Sequence, residues 1–151
     1  MGFSPWGLAV SVAVLAPNLI LVWWPPRTPL PDVRIPIVWR VLERAGQALC
    51  LVVPAITVPG PLAWGWSIVV AAAVGGYYGL WARYLATGWD GVSLYSSVLS
   101  VPVPMAVLPV LAFLATALWL SNPWIAVAAV VLAVGHIPSA VRIARAVTDR
   151  T

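Results

Sequence analysis

No lysine occurs in the chain, and among its 151 residues stand one histidine, one cysteine and four acids. Each scarcity closes a class of function. A lone cysteine, Cys50, leaves no intrachain disulfide framework, and with His136 as the one histidine a zinc site lacks enough good ligands. A charged fraction of 8%, against roughly 25% in ordinary soluble domains, is too low for a soluble globular fold. The same poverty of charge excludes disorder, which joins low hydrophobicity to high charge. The net charge of +4 includes no long basic run, so nucleic acid is not an expected partner. There is no Gly-rich phosphate loop and no Asp-rich Mg²⁺ motif, and nothing in the sequence calls for a metal or an organic cofactor.

What is abundant is apolar: 62% of the residues are hydrophobic, with ten tryptophans and fifteen prolines. A bilayer core about 30 Å thick needs about 20 apolar helical residues, and five runs of that order occur. They span 5–24, 36–58, 62–84, 95–120 and 123–140, the last with Asn122 as N-cap and Pro123 at the first helical position. The expected fold is all-α, a polytopic membrane protein with five transmembrane helices in one bundle and a single domain over 1–151. The links at Pro59 to Pro61 and Ser121 to Asn122 are so short that the helices they join must be antiparallel neighbours. Met1 to Ser4 carries no basic residue, so the first run reads as a retained helix, not a cleaved signal.

The arginines set the orientation. Arg27, Arg34, Arg40 and Arg44 surround the first link, Arg83 closes the third run, and Arg142, Arg145 and Arg150 lie in the tail, all on one side. The positive-inside rule makes that side cytoplasmic, with the N-terminus outside and the C-terminus inside. Asp32, Glu43, Asp90 and Asp149 fall on the same side.

Polar groups inside a membrane are costly and mark function by default. Asn18 near the end of the first run, Glu43 in the second and His136 in the fifth each lie roughly 9 to 10 Å in from the arginine side, with Gln47 deeper. Trp39, Glu43, Gln47 and Cys50 recur at helical spacing, as do Tyr77, Trp81 and Tyr84, so each set forms one stripe. Tyr78, adjoining the second stripe, and Trp89, in the following turn, add π-faces. Glu43 has two readings: an interfacial salt bridge to Arg40 or Arg44, or a carboxylic acid in an apolar, Trp-lined setting that donates a proton. They differ in the face Glu43 takes. Asp90, within Thr87-Gly88-Trp89-Asp90-Gly91, is either a turn cap or an acid on a loop closing over the cavity. His136 is either an interhelical hydrogen-bond partner or a base.

An apolar pocket with π-faces and a proton donor suits carbocation chemistry, since aromatic faces stabilise cations by about 0.5 to 2 kcal/mol each. The expected catalytic set is Glu43, Asp90 and His136, with Asn18, Trp39, Gln47, Tyr77, Tyr78, Trp81, Tyr84 and Trp89 binding a lipophilic prenylated substrate. A transporter or channel is the competing class; with so few helices it requires a homo-oligomer, for which Gly75-x-x-x-Gly79 offers a close-packing face. A non-enzymatic membrane partner protein is the third.

Several strings resemble a family of small five-helix bacterial membrane proteins. They are Pro17-Asn18-Leu19 with Pro25-Pro26, Leu42-Glu43-Arg44-Ala45-Gly46-Gln47, Tyr77-Tyr78 with Trp81-x-Arg83-Tyr84, Val103-Pro104-Met105-Ala106-Val107-Leu108-Pro109-Val110, and Gly135-His136-Ile137. By size, helix count and absence of lysine the chain is also similar to the actinobacterial membrane cyclases that close the farnesyl group of indole alkaloids, as in the drimentine pathway. That resemblance implies a terpenoid cyclase acting on a prenyl chain carried by an indole-type acceptor.

Overall fold

The computed structural model describes residues 2–98 and 100–149, so Arg150 of the basic tail lies outside it. Six α-helical segments form five rods among the described residues. The first rod is α1 (Pro5–Leu15), a 3-10 turn (Ala16–Leu19) and α2 (Ile20–Trp23), followed by α3 (Ile37–Ile56), α4 (Gly65–Ala86), α5 (Pro104–Trp119) and α6 (Pro123–Thr148). Two rods, Pro5–Trp23 and Pro123–Thr148, are long and apolar enough to cross a bilayer; Pro104–Trp119 is apolar but shorter.

Local chemistry explains the boundaries. Ser4 caps α1 by accepting from the Gly7 amide at 3.1 Å, with Pro5 at the first helical position. Asn122 caps α6 in the same way, its Oδ1 accepting from the Trp124 amide at 3.1 Å ahead of Pro123. Two expected boundaries move. The fourth run becomes helical only at Pro104, not near Tyr95, because Pro102 and Pro104 hold the residues before them out of the helical region. The segment ahead of it holds a short 3-10 turn (Gly91–Leu94) and an isolated bridge between Val98 and Val101. The fifth run continues to Thr148, not to about 140, so Pro138 does not end it.

The rods form a ring: α1 packs on α3, α3 on α6, α6 on α5 and α5 on α4. Tyr77 and Tyr84 of α4 close it, their hydroxyls donating to Asn18 Oδ1 at 3.0 Å and to the Trp24 carbonyl at 2.8 Å. The half away from the arginines is filled solid by Val10, Val14, Cys50, Val70, Phe113, Leu120, Ile125 and Leu132 with small residues between them. The outer surface carries large apolar side chains, among them Val22, Ile68, Trp124, Val127, Val130 and Val134. Gly75 and Gly79 point away from the bundle, and a Cβ at either would meet nothing within 4 Å.

Interior prolines cost hydrogen bonds, and the fold replaces one directly. Pro54 cannot donate to the Cys50 carbonyl one turn earlier, and Ser11 of α1 donates its hydroxyl to that oxygen at 2.8 Å. Gly7 sits against the Pro54 carbonyl, so α1 and α3 touch backbone to backbone. Ser11→Ala is expected to lower stability by about 1 to 3 kcal/mol, because it strands a buried carbonyl. Pro54→Ala in the same chain should restore most of the loss by returning the missing amide. Thermal unfolding of the single and double variants in detergent checks this; equal losses in both would show that the Ser11 hydroxyl is not what satisfies the carbonyl.

Candidate functional site

At the arginine end the ring does not fill. A cavity of about 440 Å³ opens there, within the roughly 300 to 1,000 Å³ usual for small-molecule sites. Its polar lining comes from every rod except α5: Asn18 from the first, Arg40, Glu43, Arg44 and Gln47 from α3, Tyr77 and Trp81 from α4, His136 and Ser139 from α6. Leu94, Tyr95, Val103, Met105 and Ala106 roof it.

Two glycines bring the central pair together. Gly46 of α3 rests on the backbone of Leu132, and Gly135 of α6 rests on the Glu43 amide and the Trp39 carbonyl, so the helices cross with no side chain between them at these points. Glu43 and His136 are thereby neighbours, with Glu43 Oε1 2.6 Å from His136 Nδ1. Both side chains are about a quarter exposed, at 24% and 26%. Glu43 therefore takes the face that points to α6. The alternative salt bridge to Arg40 or Arg44 is not formed; among the described residues the partner of the Glu43 carboxyl is His136.

The aromatic wall is ordered. Tyr77, Trp81 and Tyr84 stand edge to face in series, with ring centroids 6.1 and 5.8 Å apart and interplanar angles of 87° and 88°. The Trp81 indole Nε1 is buried there and makes no hydrogen bond, leaving a donor in the wall without a partner. Tyr95 is the aromatic that the sequence reading missed, placed within a helix that does not begin until Pro104. Burial pushes its phenol above the ordinary range. Tyr95 and Val103 line both this cavity and a second one of about 630 Å³ bounded by Val141, Ala144 and Arg145, so they form the wall between the two. Val103 holds that wall with φ at +46°, a conformation a β-branched residue rarely adopts. Its buried side chain packs against Tyr95, Ile137 and Ala140.

Of the eleven residues expected at the site, six line the cavity: Asn18, Glu43, Gln47, Tyr77, Trp81 and His136. The other five lie elsewhere. Tyr84 is fully buried behind Trp81, with its hydroxyl on Trp24. Tyr78 is 45% exposed on the outer side of α4, because adjacent helical residues point about 100° apart. Trp39 lies under the Arg142 guanidinium at 4.8 Å, and Trp89 under that of Arg27 at 4.3 Å. Both tryptophans are cation-stacked at the rim and do not line the cavity.

Asp90 is the loop cap. Its Oδ1 accepts from the Val92 amide at 3.1 Å and from the Thr28 hydroxyl at 2.7 Å, while Thr28 Oγ1 in turn accepts from the Gly91 amide at 3.0 Å. The carboxylate ties the loop to the first link and does not line the cavity. Asp90→Ala should cost about 1 kcal/mol, as the loss of a cap does. Faster proteolysis within the 87–98 loop is the expected sign, and an unchanged cleavage rate would refute the clamp.

No protein-family model, curated protein or solved structure matches this chain.

Proposed function

We propose that the protein is an integral membrane terpenoid cyclase of the bacterial cytoplasmic membrane, using the Glu43–His136 pair to start cyclisation of a prenyl chain by protonation. The observation that carries this reading is the position of that pair in a cavity that it shares with the rings of Tyr77, Trp81 and Tyr95. The two long apolar rods and the apolar outer surface support five spans with the arginine end inside.

The chemistry needs no group beyond these side chains. The Glu43 carboxyl gives its proton to the terminal double bond, and the alkene π pair forms the new C–H bond. A hydrogen bond donated by His136 Nδ1–H stabilises the carboxylate left behind. An internal double bond attacks the tertiary cation and closes the ring, while the faces of Trp81, Tyr77 and Tyr95 offset the moving charge. Loss of a proton from the final cation to the Glu43 carboxylate returns the pair to its starting state. The product is an isomer of the substrate.

Transport through an oligomeric pore would place polar side chains on an outward, shared face. Here Glu43, Tyr77, Trp81, His136 and Ser139, from three rods of one chain, are turned inward, which favours the cyclase. The test is incubation of nanodisc-embedded protein with farnesylated and geranylated indoles, following products by mass spectrometry and NMR. A cyclised product of unchanged mass supports the reading. No conversion of any prenylated acceptor by well-folded protein would move the assignment to transport.

A further inference from the structure

The first rod changes partners along its length. Before Pro17 it packs on α3, through Gly7 against Pro54 and Ser11 on the Cys50 carbonyl. Beyond Pro17 it belongs to α4: Ile20 and Leu21 pack on the Tyr77, Trp81 and Tyr84 cluster, and Asn18 and the Trp24 carbonyl hold the two tyrosine hydroxyls. The first half of α3 is thus left uncovered on that side. A cleft runs from the cavity to the surface, with Asn18 and Leu21 on one bank and Arg40, Arg44 and Gln47 on the other.

Arg40, Arg44 and Gln47 are spaced i, i+4 and i+7, one face of a helix, and all are exposed. The guanidiniums of Arg27, Arg83 and Arg142 are occupied by Trp89, by Ser96 Oγ at 2.9 Å, and by Trp39 with the Arg34 carbonyl at 3.2 Å. Arg40 and Arg44 have no such partner among the described residues, and the acid nearest in sequence, Glu43, is turned to His136. Two uncompensated positive charges therefore stand at the mouth of the cleft, with Cβ atoms about 5 to 6 Å apart. Guanidinium forks on adjacent turns suit a phosphoryl group, and the apolar side chains of Leu21, Leu94, Val103 and Met105 in the cavity behind them suit a hydrocarbon tail.

We infer that Arg40 and Arg44 form an anion site that holds the phosphoryl head of an amphiphile, with its tail lying through the cleft into the cavity. The identity of the tail as a prenyl chain rests on the function proposed above; the anion site does not. Such a head stays intact through a reaction started by protonation, so no Mg²⁺-assisted ionisation is involved. The phosphoryl group belongs either to a phosphorylated prenyl chain or to an anionic membrane lipid.

The experiment is equilibrium binding to protein in phosphatidylcholine nanodiscs, with farnesyl diphosphate, farnesol and dodecyl phosphate as probes. Farnesyl diphosphate should bind at least about tenfold more tightly than farnesol, as expected when two charge-assisted contacts are gained. Arg40→Gln with Arg44→Gln should abolish the preference and Arg40→Lys with Arg44→Lys should keep part of it, with unfolding temperatures near that of the parent in both. Replacing part of the phosphatidylcholine with phosphatidylglycerol identifies the source. Arginine-dependent competition assigns the site to a lipid headgroup, and undiminished binding assigns it to a phosphorylated prenyl chain. Dodecyl phosphate binding as tightly as farnesyl diphosphate would sustain the anion site and overturn only the prenyl tail. A preference that survives the double glutamine variant, or no preference in the parent, overturns the anion site itself.

Discussion

Glu43→Gln is expected to give a folded protein whose conversion of a prenylated substrate falls by about 10²- to 10⁴-fold, the usual contribution of general acid catalysis. The substitution keeps the shape and length of the side chain. Its carboxamide can accept from a protonated His136 Nδ1 or donate to a bare one, so the α3–α6 crossing keeps the contact that Glu43 Oε1 makes there at 2.6 Å. What is lost is the acidic proton, since a carboxamide does not protonate an alkene. His136→Asn should cost less than Glu43→Gln, because it removes the group that stabilises the spent carboxylate and leaves the acid. Turnover by mass spectrometry, read beside the unfolding temperature, separates chemistry from folding. A Glu43→Gln protein that turns over within about threefold of the parent would remove Glu43 as the acid.

Gly135→Ala carries the largest expected loss of stability. The added methyl would run into the Glu43 amide and the Trp39 carbonyl, which are backbone atoms and cannot rotate aside. The helices must part instead, at the cost of overpacking, about 1 to 3 kcal/mol or more. The same separation pulls His136 away from Glu43, so activity should fall even in molecules that remain folded. Gly75→Ala supplies the control, because an added Cβ there meets open space. That change should stabilise by about 0.5 to 1 kcal/mol, the ordinary gain of alanine over glycine within a helix. Unfolding in detergent should therefore move in opposite directions for the two variants. Equal shifts would mean that Gly135 is not the contact on which the crossing depends.

The five rods were legible in the sequence because long apolar runs between prolines and arginines depend on hydrophobicity and local backbone chemistry alone. The Asn122-Pro123 start of α6 is one example, read from a capping side chain and a pre-set φ. The late start of α5 was also within reach, since Pro102 and Pro104 disfavour helix in the residues before them. Missing that boundary hid Tyr95. The depth of Asn18, Glu43 and His136 followed from rise per residue, and all three do meet in the cavity.

Rotation about each helix axis, by contrast, is set by the neighbours that a helix packs against. Glu43 turns to His136, and away from Arg40 and Arg44, because Gly46 and Gly135 let α3 and α6 meet backbone to backbone. Tyr78 faces outward while Tyr77 faces in, and Asp90 spends its carboxylate on Thr28, 62 residues away in the chain. Sequence by itself determined the five helical rods, apart from the start of α5 and the end of α6, and that Asn18, Glu43 and His136 share one level, because both are properties of a single segment. Only the tertiary structure decided which of them share a cavity, because that depends on contacts between segments far apart in the chain.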